Sequence, residues 1–254
     1  MIIRRIIPCL LIKDGGLVKT NKFSNPKYVG DPINAVKIFN DKEADEIIIL
    51  DIEATNKNFI NFDLISRIFG ESFVPITYGG GIKSLEDAKK IINLGAEKIC
   101  IQSCFFENKN LVLEMVNYFG SQAVVLAIDI KKNIFGSYKI WDYKNNNFYE
   151  NVDLTNILNL AGDLGVGEII FTDVDKEGTL QGTNKHLINK LCKNSIIPVI
   201  YNGGIKDIND IKLSFKSGTQ AIAAGSFFVF YGKHKAVLIS YPSEEIKDLI
   251  NYEL

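Results

Sequence analysis

Pro75-Ile-Thr-Tyr-Gly-Gly-Gly-Ile82 decides the fold, because the chain writes it a second time as Pro198-Val-Ile-Tyr-Asn-Gly-Gly-Ile205. Each copy is a short apolar run of β type that stops at glycines and leads through a lysine into a helical segment. A strand, a tight glycine turn and a helix start form an arrangement in which backbone N–H groups can hold a phosphate. The spacing that carries Pro75 onto Pro198 also carries Ile99-Cys-Ile-Gln-Ser103 onto Ile222-Ala-Ala-Gly-Ser226. Glu46-Ile-Ile-Ile-Leu-Asp51 matches Glu168-Ile-Ile-Phe-Thr-Asp173, and Ile12-Lys13 matches Ile130-Lys131 at a slightly shorter spacing. The chain therefore reads as two four-strand halves, about 1–121 and 122–254, of the kind that bury a core only when the copies meet.

Outward from this repeat, apolar runs rich in Ile and Val lie at about 5–11, 46–51, 73–78, 97–102, 123–130, 168–172, 197–201 and 219–224. They do not alternate with polar residues, which suits strands buried on both faces of a parallel sheet. Amphipathic segments separate them, such as Asp31 to Lys42, Ser84 to Leu94, Asn108 to Phe119, Asp153 to Leu164 and Asp207 to Ser217. Several begin with Ser or Asp, as helix N-caps do, and Ser84-Leu-Glu-Asp puts acidic residues where the helix dipole favours them. Strands and helices alternating eight times predict an α/β fold of the (β/α)8 TIM-barrel type, with a doubly wound open sheet as the alternative. No Pro/Gly/Ser-rich linker divides the chain, so one domain over 1–254 is expected. Residues 137–149, two aromatic runs joined by an Asn-rich turn, read as a β-hairpin excursion after the fifth strand, either a lid or a surface decoration.

Composition narrows the function classes. A length of 254 residues with 46% hydrophobic residues is ample for one large core. A net charge of -1 gives no electrostatic reason to expect nucleic acid or an anionic membrane as partner. The N-terminal Met-Ile-Ile-Arg-Arg-Ile-Ile-Pro has arginines inside its apolar run and no cleavable small-residue site, and no long uncharged stretch follows, so a cytoplasmic location is expected. Cys9, Cys100, Cys104 and Cys192 lie in apolar runs without a CxxC pair, which reads as buried small hydrophobes and not as a disulfide or metal framework. No metal and no cofactor are expected.

The repeat also places candidate site residues. Each half carries a Gly-Gly-Ile turn after its third strand and a Ser just past its fourth: Gly80 and Gly81 with Ser103, then Gly203 and Gly204 with Gly225 and Ser226. Gly178, in Glu177-Gly-Thr, joins the second set. Two phosphate sites on opposite sides of the C-terminal face would suit an elongated ligand with a phosphate at each end. The competing reading is that the glycines only make tight turns and close helix packing. Asp51, Asp129 and Asp173 each end an apolar run, where a carboxylate is costly unless it meets a ligand, a neighbour or a proton. At the opposite strand ends Arg5, Glu46, Lys98 and Glu168 alternate in sign, a set that can close into a ring or simply plug the barrel floor.

Ile6-Ile-Pro-Cys-Leu, Lys13-Asp-Gly, Gly30-Asp-Pro, Ala44-Asp-Glu, Leu50-Asp-Ile, Tyr78-Gly-Gly-Gly-Ile, Phe119-Gly-Ser-Gln and Glu177-Gly-Thr together closely resemble the HisF family. HisF is the cyclase subunit of imidazole glycerol phosphate synthase, and the resemblance covers essentially the whole chain. It implies a half-barrel-duplicated TIM barrel that binds a bisphosphate ribosyl substrate, docks a HisH-type glutaminase on its N-terminal face and takes ammonia through the barrel. The gate of charged residues on that path corresponds to Arg5, Glu46, Lys98 and Glu168, and the substrate-side residues Cys9, Lys19, Asp51 and Asp129 match as well.

One departure stands out. The family's cyclase uses two aspartates as general acid and base, related by the half-barrel repeat; the second is Asp129, and the first falls at Leu11, which cannot transfer a proton. General acid–base catalysis contributes on the order of 10²–10⁴-fold, so the resemblance implies impaired cyclisation. Asp14 matches the family's own aspartate and is not a displaced catalytic group. The same rim differs elsewhere, with Gln102, Asn202, Asp173 and Glu177 in place of the family's usual Asn, Ser, Ser and Asp, and with unusual Tyr201 and Val229. This pattern resembles a second HisF-type group carrying Cys9-Leu-Leu11 and Gly15-Gly-Leu-Val-Lys-Thr20. That group is associated with a HisH-like glutaminase and an N-acetyl sugar amidotransferase acting on surface-glycan sugars.

Overall fold

The computed structural model describes residues 4–252, so Met1–Ile3 of the N-terminal stretch and the last two residues lie outside the described residues. Eight parallel strands form the barrel: β1 Arg5–Lys13, β2 Ile47–Asp51, β3 Ile76–Gly79, β4 Lys98–Ile101, β5 Val124–Lys132, β6 Glu168–Asp173, β7 Val199–Asn202 and β8 Ala221–Ala224. Each pairs with the next in sequence, and β8 returns to β1 with Arg5 opposite Ala221, so the sheet closes and has no open parallel edge. The expected (β/α)8 barrel is therefore present, and the doubly wound alternative is not.

Eight principal helices cover the outside: α1 Pro32–Asp41, α2 Phe62–Phe69, α3 Leu85–Asn93, α4 Lys109–Phe119, α5 Leu154–Asp163, α6 Lys185–Asn194, α7 Ile208–Lys216 and α8 Glu244–Tyr252. Their starts are fixed by short polar side chains that satisfy otherwise unpaired backbone donors. Asp31 accepts from Asn34 N with Pro32 in the first turn, Ser84 from Asp87 N, Asn108 from Leu111 N, Asp153 from Thr155 N and Asn156 N, and Asp207 from Asp210 N.

Continuous apolar strands arise because both faces are buried, and the two faces feed separate cores. Outward residues such as Ile6, Ile49, Ile99, Ile128 and Phe171 pack under the helices. Inward residues, among them Ile7, Cys9, Ile48, Cys100, Val125 and Ile170, fill the barrel. Burying each large aliphatic side chain stabilises the fold by about 1.5–3 kcal/mol.

Besides the small antiparallel pairing of Phe230–Tyr231 with Ala236–Val237, two hairpins interrupt the alternation. Tyr138–Asp142 pairs antiparallel with β5 and with Asn147–Phe148, at the position read from the sequence. The other, Gly16–Asn21 with Ser24–Gly30, follows β1 and pairs Val18 with Leu11. Sequence reading passes over it because its turn lacks the usual Asn-Gly signal; Lys22 and Phe23 themselves adopt positive φ.

Candidate functional site

A cavity of about 360 Å³ opens at the C-terminal ends of the strands. Strand alternation decides which side chains enter it. In the β5–β6 register Thr172 lies beside Asp129 and Asp173 beside Ile130, so Asp129 and Thr172 face inward. Asp129 is buried, and its Oδ2 accepts from Gln102 Nε2 at 2.7 Å. Burial raises its pKa to about 7, with further help from the Glu177 charge and opposition from the Gln102 and Thr172 hydrogen bonds. Such a carboxyl can exchange a proton near neutrality. Leu11 lines the same cavity and, like Leu50 and Ala127, packs against the inner core of the barrel.

The hairpin after β1 brings Lys19 over the mouth. Lys19 is buried, and its Nζ donates to Cys9 O at 2.6 Å. Burial lowers its pKa, against the pull of Cys9 and Glu177. A side chain at Gly225 would crowd this ammonium, since a Cβ there falls 2.6 Å from Lys19 Nζ. Burial pushes the Cys9 thiol up to about 11, so it is no thiolate. Glu177 reaches the same hairpin: Oε1 accepts from Thr20 Oγ1 at 2.8 Å and Oε2 from Phe23 N at 3.1 Å. Gly178 is required beside it because any Cβ would strike Thr20 O.

Gly80, Gly81, Ser103, Gly178, Gly203, Gly204, Gly225 and Ser226 all line the cavity, as do Gln102 and Asn202. The matched turns share a backbone: Gly80 and Gly203 have φ of 125° and 122°, and a Cβ on either would press on the carbonyl oxygen of Asp51 or Asp173, respectively.

One expected rim residue is placed elsewhere. Asp173 does not reach the cavity; it is 1% exposed and turned outward, where Tyr201 OH donates to its Oδ2 at 3.4 Å. The period-2 alternation of the strand is the reason, because the inward position is taken by Thr172. Burial and the Asp175 charge raise the Asp173 pKa to about 6. Its repeat counterpart Asp51 does line the cavity, yet Oδ1 accepts from Glu53 N and Ala54 N, both at 3.0 Å, and so fixes the turn after β2.

At the floor, Arg5 bridges Glu46 and Glu168 through its two guanidinium nitrogens, and Lys98 Nζ bridges the same pair at 3.0 and 2.9 Å. Thr77 Oγ1 adds a bond to Glu46 Oε1 at 2.6 Å. The four charges thus form a closed ring. Burial works against the charge of Glu168, but Lys98 and Arg5 outweigh it and hold its pKa below the usual value.

Sequence reasoning did not single out Thr20, Thr55, Trp141 or Tyr143, all of which line the cavity. The last two belong to the excursion, whose aromatic character was visible but whose direction was not. Among the described residues no group of three or more His, Cys, Asp or Glu side chains is placed to hold a metal ion, and no helix is long and apolar enough to cross a membrane.

Eight parallel strands closed from two matching halves, a cavity at the strand C-termini and a closed charge ring at the floor define the class of duplicated (β/α)8 barrels. A family model described as "Histidine biosynthesis protein" matches residues 5–235, and the chain belongs to that family. It is 47% identical over 244 residues, covering 95% of this chain and 97% of the relative, to "Putative imidazole glycerol phosphate synthase subunit hisF2" of Pseudomonas aeruginosa. It is 38% identical over 251 residues, covering 98% and 96%, to "Imidazole glycerol phosphate synthase subunit HisF" of Lactococcus lactis. A hisF3 protein of Vibrio vulnificus is 41% identical over 249 residues, covering 97% and 96%. The chain is thus of the HisF type, the imidazole glycerol phosphate synthase subunit family.

Proposed function

We propose that this chain pairs with a HisH-type glutaminase on the N-terminal face of the barrel and conducts ammonia to the C-terminal face. There the ammonia serves amidation of an N-acetyl sugar in surface-glycan biosynthesis, with a sugar amidotransferase as the consuming partner. Arg5, Glu46, Lys98 and Glu168 act as the gate. Asp129 is the proton-transfer group of the mouth, and the paired glycine turns hold a phosphorylated ligand, most simply one with two phosphates. The observation that carries this reading is an asymmetry between the two ends. The ring at the floor is closed and complete, whereas at the mouth Leu11 puts an apolar side chain where the half-barrel repeat would pair a second carboxyl with Asp129. The hisF2 and hisF3 names of two relatives are compatible with it. The test supplies the bisphosphate ribosyl substrate with ammonium salt. Negligible turnover that returns in Leu11→Asp supports the reading, and turnover comparable to an authentic cyclase overturns it.

A second reading, the cyclase subunit of histidine biosynthesis, is favoured by the family model and by the Lactococcus relative. It predicts that ordinary turnover. A non-catalytic activator of the glutaminase is distinguished by Lys98→Ala: glutaminase binding that persists while ammonia delivery is unchanged would exclude the conduit and leave the scaffold.

A further inference from the structure

The two glycine cradles are repeat-matched in backbone but differ in what fills them. Ser226 lines the cavity at the second cradle, is 7% exposed, and its hydroxyl has no hydrogen-bond partner among the described residues. A buried hydroxyl left in that state is unfavourable, and a ligand acceptor would relieve it. Its counterpart Ser103 has different surroundings. There Tyr143 lines the cavity wall together with Ser103 and Thr55, and Thr55 Oγ1 accepts the Gly81 N–H at 3.2 Å. One backbone donor of the first cradle is therefore already taken by Thr55, and a phenol shares the wall with its hydroxyls.

Tyr143 is delivered there by the excursion hairpin, which is clamped to the short helix Ser103–Glu107. Lys144 Nζ pairs with Glu107 Oε1 at 2.9 Å, and Tyr149 stacks on Phe106 with centroids 4.1 Å apart. At its base the hairpin is held by Tyr138, whose hydroxyl meets Asn184, the N-cap of α6. The excursion is thus neither a free loop nor a decoration: it seats one phenol over one of two otherwise equivalent anion cradles.

We propose that Tyr143 is the gate of the first cradle: one phosphate of a ligand enters the open second cradle, and the first admits another only when the hairpin carries the phenol away. The ligand class is a small molecule with a phosphate at each end; a sugar carrying a single phosphate occupies the second cradle alone and leaves the hairpin seated, while free inorganic phosphate enters the first cradle only weakly. This rests on the paired glycine turns being phosphate sites.

The protein contains its own reporter. Trp141 is the single tryptophan of the chain, lies in the hairpin, lines the cavity and has Lys131 Nζ 3.7 Å from its ring centroid. Inorganic phosphate, ribose 5-phosphate and fructose 1,6-bisphosphate are titrated by calorimetry and by Trp141 emission. Inorganic phosphate is expected to fill two sites of unequal affinity, ribose 5-phosphate one site with little change in emission, and the bisphosphate one site with a clear change. Tyr143→Phe, which keeps the ring and removes the hydroxyl, tightens the weaker phosphate site roughly three- to tenfold. Lys144→Ala, which loosens the clamp without touching the cavity, shifts the same site in the same direction. Two equal phosphate sites in the unaltered protein, unmoved by either substitution, would overturn the gate while leaving the cradles. Absence of any phosphate binding would remove the cradles and the gate together.

Discussion

Gln102, the residue just past β4, and Asp129 on the neighbouring β5 meet at the barrel mouth at 2.7 Å, the amide donating to a carboxyl that burial holds near a pKa of about 7. A carboxyl whose folded pKa exceeds its unfolded value of 3.8 binds more protons when folded. It therefore adds stability below the unfolded pKa that is lost as the pH rises through the folded one. Over that window the loss is on the order of 4 kcal/mol. Asp129→Asn should abolish this slope and leave the variant more stable than the unaltered protein at pH 8, as urea unfolding at pH 5, 6.5 and 8 will show. An unchanged slope would refute the assignment.

The floor ring has the opposite sign. Glu168 titrates below its ordinary value, so its share of stability is present above the unfolded pKa of 4.5 and disappears as the pH falls through the folded one. Lys98→Met should leave Glu46 and Glu168 facing each other with Arg5 as their remaining ring cation, and cost about 3 kcal/mol. Adding Glu46→Gln should recover part of that loss. Equilibrium denaturation at pH 7 measures both, and a double variant no more stable than the single would argue against a coupled ring.

Glu177 ties the hairpin after β1 to the loop after β6 through Thr20 and Phe23. Glu177→Ala should speed amide exchange over residues 16–30 by about tenfold or more, since two hydrogen bonds to an ionised group are lost. Removing its charge should also lower the Asp129 pKa, visible as a downward shift in the pH midpoint of the stability slope.

Gly80→Ala forces a Cβ against Asp51 O at a φ of 125°, a conformation side chains rarely adopt. The expected cost is about 1–3 kcal/mol or more, together with loss of phosphate binding at the first cradle while the second is spared. Calorimetry on the variant separates the two effects.

The repeat made the barrel legible: two copies of one strand, turn and helix unit fix strand number, order and the face that carries the site. The place of Arg5, Glu46, Lys98 and Glu168 at strand starts was legible too, and they meet at the floor, whereas Leu11 stood out only through the family resemblance. Asp173 was misjudged because the last residue of an apolar run says where a strand ends but not which face its side chain takes; β6 ends one residue past its inward Thr172. The hairpin after β1 escaped notice since Lys22 and Phe23, not glycines, hold its left-handed turn. Tyr143 was hidden for a different reason. Its role depends on where a hairpin folds in space, and no local pattern encodes that direction.

Between the ring and the mouth the inward side chains are small or apolar: Ile7, Cys9, Cys100, Ala127, Ala221 and Ala223 among them. None of these side chains can replace the water shell of an ion, and stripping that shell costs several kcal/mol even after relaxation. In the function proposed above, this column would therefore pass ammonia as the neutral base and hold back ammonium at the floor, delivering the base beside the carboxyl of Asp129.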